Sequence, residues 1–526
     1  MKKKFSALFA LFLAFTLVLT ACSGGGKDEA STSPSKSSGE NPAKDRGNEI
    51  VIGVSGDPQN WDPIDTFLLD WSTIATSVFE GLVDRNLDLE LQPGLAESWE
   101  YLDDKTLQFK LRQGVKFHNG EPFNAEAVKF TFDRLLGEEG QKGPQYSNYT
   151  SIDKVEVVDE FTVNFNLKNA DPVLLTKLAG YGAVIVPPQY IQEKGDENFN
   201  NNPVGTGSFK MTSYKRDQEI VLEKNADYWK EGLPKLDKVV YKVIPEASTR
   251  LAELQTGKID IMKRVEVAQA ETVKGTDFLE LKDVGTPTAF SLRFDVSKKP
   301  FDNKLVRQAI NYAVDKQAII DEILGGYGKP ISTFQSELSF GNNPDLKPYP
   351  YDPEKAKELL KEAGVQEGTA IDLFIPGNDG NFKEISQAVS FFLEEVGLKV
   401  NINSVDNTTL ISDLIPNAKA GHMYRQGWGG WTLDFDNTAY LMYYEGEQWN
   451  PSYKNETVEE LLRKQRTSIN KEEREAIFKE LTELLYDEAT ELNLYSAVDL
   501  YAVNKRVQNF QPPHEDRMRL EEVSVK

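Results

Sequence analysis

An α/β architecture of two lobes carrying an α+β insert is what this chain predicts, on three observations. Strand-like and helix-like patterns alternate twice over along the sequence, the signature of α/β units. A hairpin-rich stretch near residues 90–200 interrupts them. At 526 residues the chain exceeds what one hydrophobic core serves, while 39% hydrophobic and 10% aromatic residues fill sizeable cores.

The N-terminus comes first. Lys2, Lys3 and Lys4 precede an apolar run over residues 5–19, too short to span a bilayer comfortably but of signal-peptide length, which predicts export. The run ends in Leu19-Thr20-Ala21-Cys22, which resembles the lipobox of bacterial lipoproteins, so residues 1–21 read as a signal peptide and Cys22 as the lipidated first residue. Cys22 is the only cysteine, as expected of an exported fold without disulfides. An ordinary secretory signal would instead leave an exposed thiol. The rest of 22–48 is rich in Gly, Ser, Lys and Asp and has no aromatic or aliphatic side chain larger than alanine, as expected of a disordered tether that leaves the protein anchored to a membrane and not spanning it. The formal charge of −23 argues against nucleic acid as a partner.

From residue 49 the elements follow in order. Residues 50–54 read as a strand leading into Ser55-Gly56-Asp57-Pro58-Gln59-Asn60-Trp61-Asp62-Pro63. Two X-Pro bonds and a Trp suggest a fixed loop at a strand's C-terminal end, where ligands bind in open α/β sheets; Asn60 and Trp61 are therefore candidate ligand contacts. A helix over 71–80 stops at Gly81, hairpins form over 99–111 and 153–167, and Asn124 caps a helix over 125–136. Residues 202–207 contain Gly205-Thr206-Gly207, but no helix or Gly-Lys-Ser/Thr follows, so a tight turn is expected and not a phosphate cradle. A strand at 239–244, a helix at 247–255 and a strand at 259–261 form one α/β unit. Asp302 is expected to cap a helix at 303–314, Asp315 a second, and Asp352-Pro353-Glu354 a third closing at Gly364. The helix at 382–396 feeds the strand at 398–402, and helices at 456–467 and 471–488, the latter begun by Asn470 with Glu473, precede a strand at 491–503.

Within this frame one stretch carries unusual chemistry: Gly427-Trp428-Gly429-Gly430-Trp431-Thr432-Leu433-Asp434-Phe435-Asp436. Glycine admits close backbone approach, Trp gives a flat apolar wall with one N–H, and a half-shielded Asp attracts a cation. The stretch reads as the floor of a ligand site; its alternative is a buried strand and turn whose aromatics fill core. No catalytic or cofactor chemistry competes. The three histidines, His118, His422 and His514, lack metal-ligand spacing, and no Ser or Cys has an evident His partner. Asp434/Asp436 and Glu445/Glu447 form acidic pairs of glycosidase type, but acidic pairs at i, i+2 in so acidic a chain are expected to be solvated surface. The chain is therefore expected to be neither an enzyme nor a metal or cofactor carrier.

Three further stretches resemble the extracellular solute-binding proteins of family 5, the peptide- and nickel-type receptors of bacterial ABC importers. They are Val78-Phe79-Glu80-Gly81-Leu82-Val83 with Pro93 to Trp99 and Arg112 to Val128, then Pro203-Val204-Gly205-Thr206-Gly207 with Asn225-Ala226-Asp227-Tyr228-Trp229, and Pro300-Phe301-Asp302 to Asp315. The resemblance implies a periplasmic-binding-protein-like fold of type II with an extra inserted domain, closing about a ligand between lobes. It implies lobe I at 49–89, 204–288 and 495–526, the insert at 90–203, and lobe II at 289–494. It matches Asp434 to the Asp that binds a peptide's α-ammonium in the family, with Trp431, Trp428 and Gly430 beside it. The loop Pro376-Gly377-Asn378-Asp379-Gly380-Asn381 lacks the arginine that holds the carboxylate in dipeptide receptors of the family. The expected ligand is therefore a longer peptide, with an oligosaccharide stacked on Trp61, Trp428 and Trp431 as the alternative. The implied partners are an ABC permease and ATPase, and the implied state is a monomer held by its lipid on the extracellular face of the cell membrane, the periplasmic side if the host has an outer membrane.

Overall fold

The computed structural model describes residues 46–526 except 67, 68 and 378. The signal peptide, Cys22 and most of the tether lie outside the described residues. No helix among the described residues is long and apolar enough to cross a membrane.

Among the described residues eleven strands form one mixed sheet. Its order runs Leu398–Val405, Thr369–Pro376, Met423–Trp428, Leu279–Phe294, Glu491–Asn504, Ile261–Lys263, Glu49–Val54, Lys238–Val243, Glu219–Lys224, Phe209–Lys215, with Gly328–Pro330 also on Glu491–Asn504. Each half holds parallel pairs: Ile50 opposite Val239 in one, Ile371 opposite Val400 in the other. Parallel neighbours need a crossover, which is why helices alternate with strands in the sequence.

Two long antiparallel strands, Leu279–Phe294 and Glu491–Asn504, belong to both halves. At one end the latter pairs with Ile261–Lys263, and toward the other end the former pairs with Met423–Trp428. Their ladder shifts register between Gly285 and Ala289 and between Phe290 and Ser291. Such irregularities bend and twist a strand pair, so the connection between the halves is a bulged two-strand hinge. The expected boundaries at 288/289 and 494/495 fall inside these strands.

Each half has its own core. Ile52, Trp71, Tyr241 and Tyr501 lie in one; Leu292, Ile310, Leu373 and Leu492 lie in the other. A separate four-stranded sheet, Ala96–Asp103, Thr106–Leu111, Thr162–Leu167 and Ile152–Asp159, packs Phe109 and Phe165 against Phe132 of the helix Ala125–Leu136. The ring centroids of Phe132 and Phe165 lie 4.7 Å apart, edge to face.

Local chemistry explains the helix starts. Asn124, Asp315, Asp352 and Asn470 each accept a hydrogen bond from a first-turn N–H. Asn303, and not Asp302, caps Lys304–Ala313, accepting from Leu305 N at 3.0 Å. The helix expected over 71–80 is Leu69–Ala75; beyond it the Ser77 and Val78 carbonyls accept from Phe209 and Gly207, so the chain leaves helical geometry. This contact also accounts for Gly205-Thr206-Gly207, since a Cβ on Gly205 would lie 2.1 Å from the Val78 carbonyl oxygen.

Candidate functional site

The strand Met423–Trp428 delivers the Gly-Trp stretch to the place where the two halves meet. The turn that follows needs Gly430 at φ +50, where an added Cβ would lie 3.2 Å from the Pro287 carbonyl oxygen. Trp431 then leaves its own half. It is 6% exposed, packs in the core of the opposite half with its ring 5.8 Å from Tyr181, and lies where a Cβ on Gly180 would approach to 2.7 Å. The buried guanidinium of Arg85 fastens the segment, donating to the Trp431 and Thr432 carbonyls at 3.5 and 3.0 Å, to the Thr176 carbonyl, and to Glu515 at 2.7 Å.

Against this segment lies a cavity of about 390 Å³. Trp428, Gly429, Gly430 and Trp431 form one wall, Phe290 another, and Arg264, Asp499, Glu515 and Asp516 bring charge from the other half. Glu515 is taken by Arg85 and Arg517, and Asp516 by Lys263, with Arg264 at 3.9 Å. Asp499 is different: among the described residues its carboxylate has neither a hydrogen bond nor an ion pair, and the residue is half-buried. Burial, helped by the neighbouring Asp516 carboxylate, pushes its carboxyl above the ordinary range, against the pull of Arg264 and Lys263. A partly desolvated carboxylate beside aromatic walls has the chemistry to accept an ammonium.

A second chamber of about 800 Å³ is lined by Arg425 and by residues of both halves. Val267 and Ala268 come from one half, and Ile323, Asp379, Asn381, Asn407 and Arg425 from the other. The Arg425 guanidinium sits 4.9 Å from the Phe290 ring centroid and 5.2 Å from that of Phe382.

The residues expected from sequence separate. Trp428, Gly430 and Trp431 line the smaller cavity together. Asp434 does not. It caps the helix Phe435–Tyr443 and its two oxygens take the fork of Arg474 at 2.8 Å each, with both side chains almost fully buried. Its cavity, of about 600 Å³, is a different one that includes Arg85, Phe340 and Lys471. A carboxylate already closed on a bidentate arginine holds no ammonium without breaking that pair, so the anchoring role expected of Asp434 is corrected to a structural one. Asp436 is likewise bound, by Arg466 and Gln465. Trp61 is 1% exposed, in core with Tyr214 5.7 Å away, and its carbonyl accepts from Trp71 Nε1. Asn60 accepts from Asn200 at 3.3 Å. Neither lines the cavity, because the loop folds back on the first core.

Sequence reasoning missed Asp499 and Arg425. Both left a trace: each is the charge within a strand of otherwise apolar or uncharged neighbours, Ala497-Val498-Asp499-Leu500-Tyr501 and Met423-Tyr424-Arg425-Gln426-Gly427.

Two α/β halves joined by a two-strand hinge about a walled cavity define a two-lobed binding protein of periplasmic type. Residues 90–450 match the profile of bacterial extracellular solute-binding proteins, family 5. The chain belongs to that family, which is one of receptors and not of enzymes. Among its relatives is the glutathione-binding protein GsiB of Pectobacterium atrosepticum, 35% identical over 365 residues that cover 68% of this chain and 69% of that protein. The periplasmic binding protein DppA of Helicobacter pylori, solved with the peptide STSA, superposes with a TM-score of 0.75 at 26% identity over 91% of this chain and 98% of that one. NikA of Brucella suis, solved with Fe(III)-EDTA, gives 0.83 at 25% identity over 91% and 100%.

Proposed function

We propose that this receptor captures peptides in the cleft about Phe290, oligopeptides in preference to strict dipeptides, and hands them to an ABC permease and its ATPase from a lipid anchor at Cys22 on the outer face of the membrane. The proposed partition is that given by the resemblance: lobe I at 49–89, 204–288 and 495–526, the insert at 90–203 and lobe II at 289–494. The observation that carries the peptide reading is Asp499, a carboxylate with no hydrogen bond or ion pair among the described residues, in an aromatic-walled cavity of about 390 Å³. Its position suits a ligand's ammonium, and the larger chamber lined by Arg425 has room for further residues. Relatives named for glutathione and for a bound peptide support the same class.

The test is calorimetric titration with a tetrapeptide pool, the same pool N-acetylated, and β-linked oligosaccharides. A charge-assisted hydrogen bond contributes about 1.5–3 kcal/mol, so losing it costs about 10- to 150-fold in affinity. N-acetylation and Asp499→Asn should each cause a loss of that size, and together little more than either alone. Binding of saccharides without binding of peptides would replace the peptide reading, and peptide binding indifferent to both changes would remove Asp499 from it.

A further inference from the structure

We infer that His514 is a hydrogen-bond acceptor for the ligand's main chain, taking an amide N–H one or two residues beyond the ammonium held at Asp499; the inference rests on the reading of the cleft as a peptide site. His514 lines the same cavity of about 390 Å³ as Asp499 and is half-buried. Its Nδ1 stands 2.6 Å from the Gly285 carbonyl oxygen. A carbonyl only accepts, so Nδ1 carries the hydrogen, and in the neutral ring that leaves Nε2 with a bare lone pair. Among the described residues Nε2 has no hydrogen-bond partner. The strand has claimed one of the ring's two polar atoms, and the other is open to whatever fills the cavity.

The hinge explains why the ring is held this way. Gly285 stands opposite Val498, and the next registered pair is Ala289 with Ser496, so the ladder lapses just where the Gly285 carbonyl is needed. The irregularity that bends the strand pair therefore also frees the acceptor that sets the histidine tautomer. The chain on the other side of the ring is fixed as well. Glu515 is tied to Arg85 at 2.7 Å and Asp516 to Lys263, and Asp516 turns the chain at φ +62. An acceptor already held in place loses little freedom when a donor arrives, so more of the bond's strength reaches the affinity.

Register places the two acceptors close together. Asp499 stands opposite Val284, one residue before Gly285. Direct and diagonal cross-strand neighbours lie about 5–8 Å apart. An extended peptide advances about 3.3 Å per residue, so the N–H groups one and two residues beyond its ammonium fall about 3–7 Å away. Little else on this wall competes for them: Arg264 can only donate, and Glu515 and Asp516 are already paired. A ligand with an N–H at that place is favoured, and one with proline there, which has none, is disfavoured. His514 is in this way a specificity residue for the peptide backbone.

The test is calorimetric titration of tetrapeptides N-methylated at residue 2, 3 or 4, or carrying proline there, into the parent and two variants that split the functions of the ring. His514→Asn keeps an N–H near the place of Nδ1 and has nothing at Nε2, whereas His514→Gln brings an amide oxygen near Nε2 and gives up the bond to Gly285. In the parent, methylation or proline at residue 2 or 3 should weaken binding about 3- to 10-fold relative to the other positions. His514→Asn should lose that preference while melting like the parent, and His514→Gln should keep part of it while melting lower. A histidine that serves structure alone predicts the opposite: discrimination intact in His514→Asn, where the Gly285 bond survives. A methylation profile in His514→Asn that matches the parent at every position, or a parent equally tolerant of methylation at all three, overturns the assignment. Peptide binding that then still depends on Asp499 leaves the peptide reading intact, whereas a parent that binds no peptide removes both.

Discussion

Replacing Asp434 by alanine should unfold the second half of the molecule more readily while leaving ligand affinity nearly unchanged. Both members of the Asp434–Arg474 pair are buried, with side chains 3% and 5% exposed, and the two contacts are 2.8 Å. Without Asp434 the guanidinium keeps Gln465 as a polar partner and the rings of Phe340 and Phe478 at 5.0 and 5.3 Å, but no anion. Breaking a buried pair from one side costs about 3–5 kcal/mol. Loss of the cap that accepts from Asp436 N at the start of Phe435–Tyr443 costs roughly 1 kcal/mol more. For a lobe of about 200 residues such a loss lowers the melting temperature by on the order of 10 °C or more. Differential scanning calorimetry reads this directly, and peptide titration of the same preparation reads affinity. Asp434→Asn, which keeps an oxygen for the cap, should fall between parent and Asp434→Ala. Adding Arg474→Met to Asp434→Ala should recover part of the stability, because the stranded charge is then gone. A variant with unchanged melting and abolished binding would refute the structural role and restore Asp434 as a ligand anchor.

Three other outcomes follow from the same reasoning. Lys316, buried with its ammonium donating to the Asn311 and Tyr349 carbonyls, is pulled down from 10.5 to about 7, mainly by burial. Between those values the unfolded chain holds the proton that the folded one sheds, so stability rises with pH from 7 toward 10, by at most about 1.4 kcal/mol per unit, and denaturant titrations of Lys316→Met should show a flatter pH dependence than the parent. The raised pKa of Asp499 has a binding consequence: an ammonium prefers the ionised form, so peptide affinity should fall on acidification starting above the ordinary carboxylate range, and Asp499→Asn should abolish the dependence in calorimetric titrations across that range. Gly180→Ala places a methyl group 2.7 Å from Trp431 Cζ3, an overpacking worth about 1–3 kcal/mol, and should lower both melting temperature and peptide affinity while altering tryptophan fluorescence; unchanged values of all three would show that Trp431 has room to move.

Element types were largely legible because their causes are local. Hydrophobic period and cap chemistry placed Lys471–Glu488 behind Asn470 and Gly380–Glu395 ahead of the strand Leu398–Val405, in each case within a few residues. Where a neighbour distant in sequence decides, local reasoning failed. The helix after residue 69 ends early because the 203–209 segment claims its carbonyls, and the loop holding Asn60 and Trp61 turns inward because Asn200 and Tyr214 receive it.

The sequence by itself determined the α/β character, since periodicity does not depend on partners, and its motifs carried the resemblance to the family. Only the tertiary structure decided which charges are free. Asp434 and Asp499 are alike as letters; one meets Arg474, 40 residues away in sequence, and the other meets no ion-pair partner among the described residues. A carboxylate's availability is a property of what is packed against it, and the packing of one half against the other is set by contacts between residues hundreds of positions apart, such as Arg85 with Thr432.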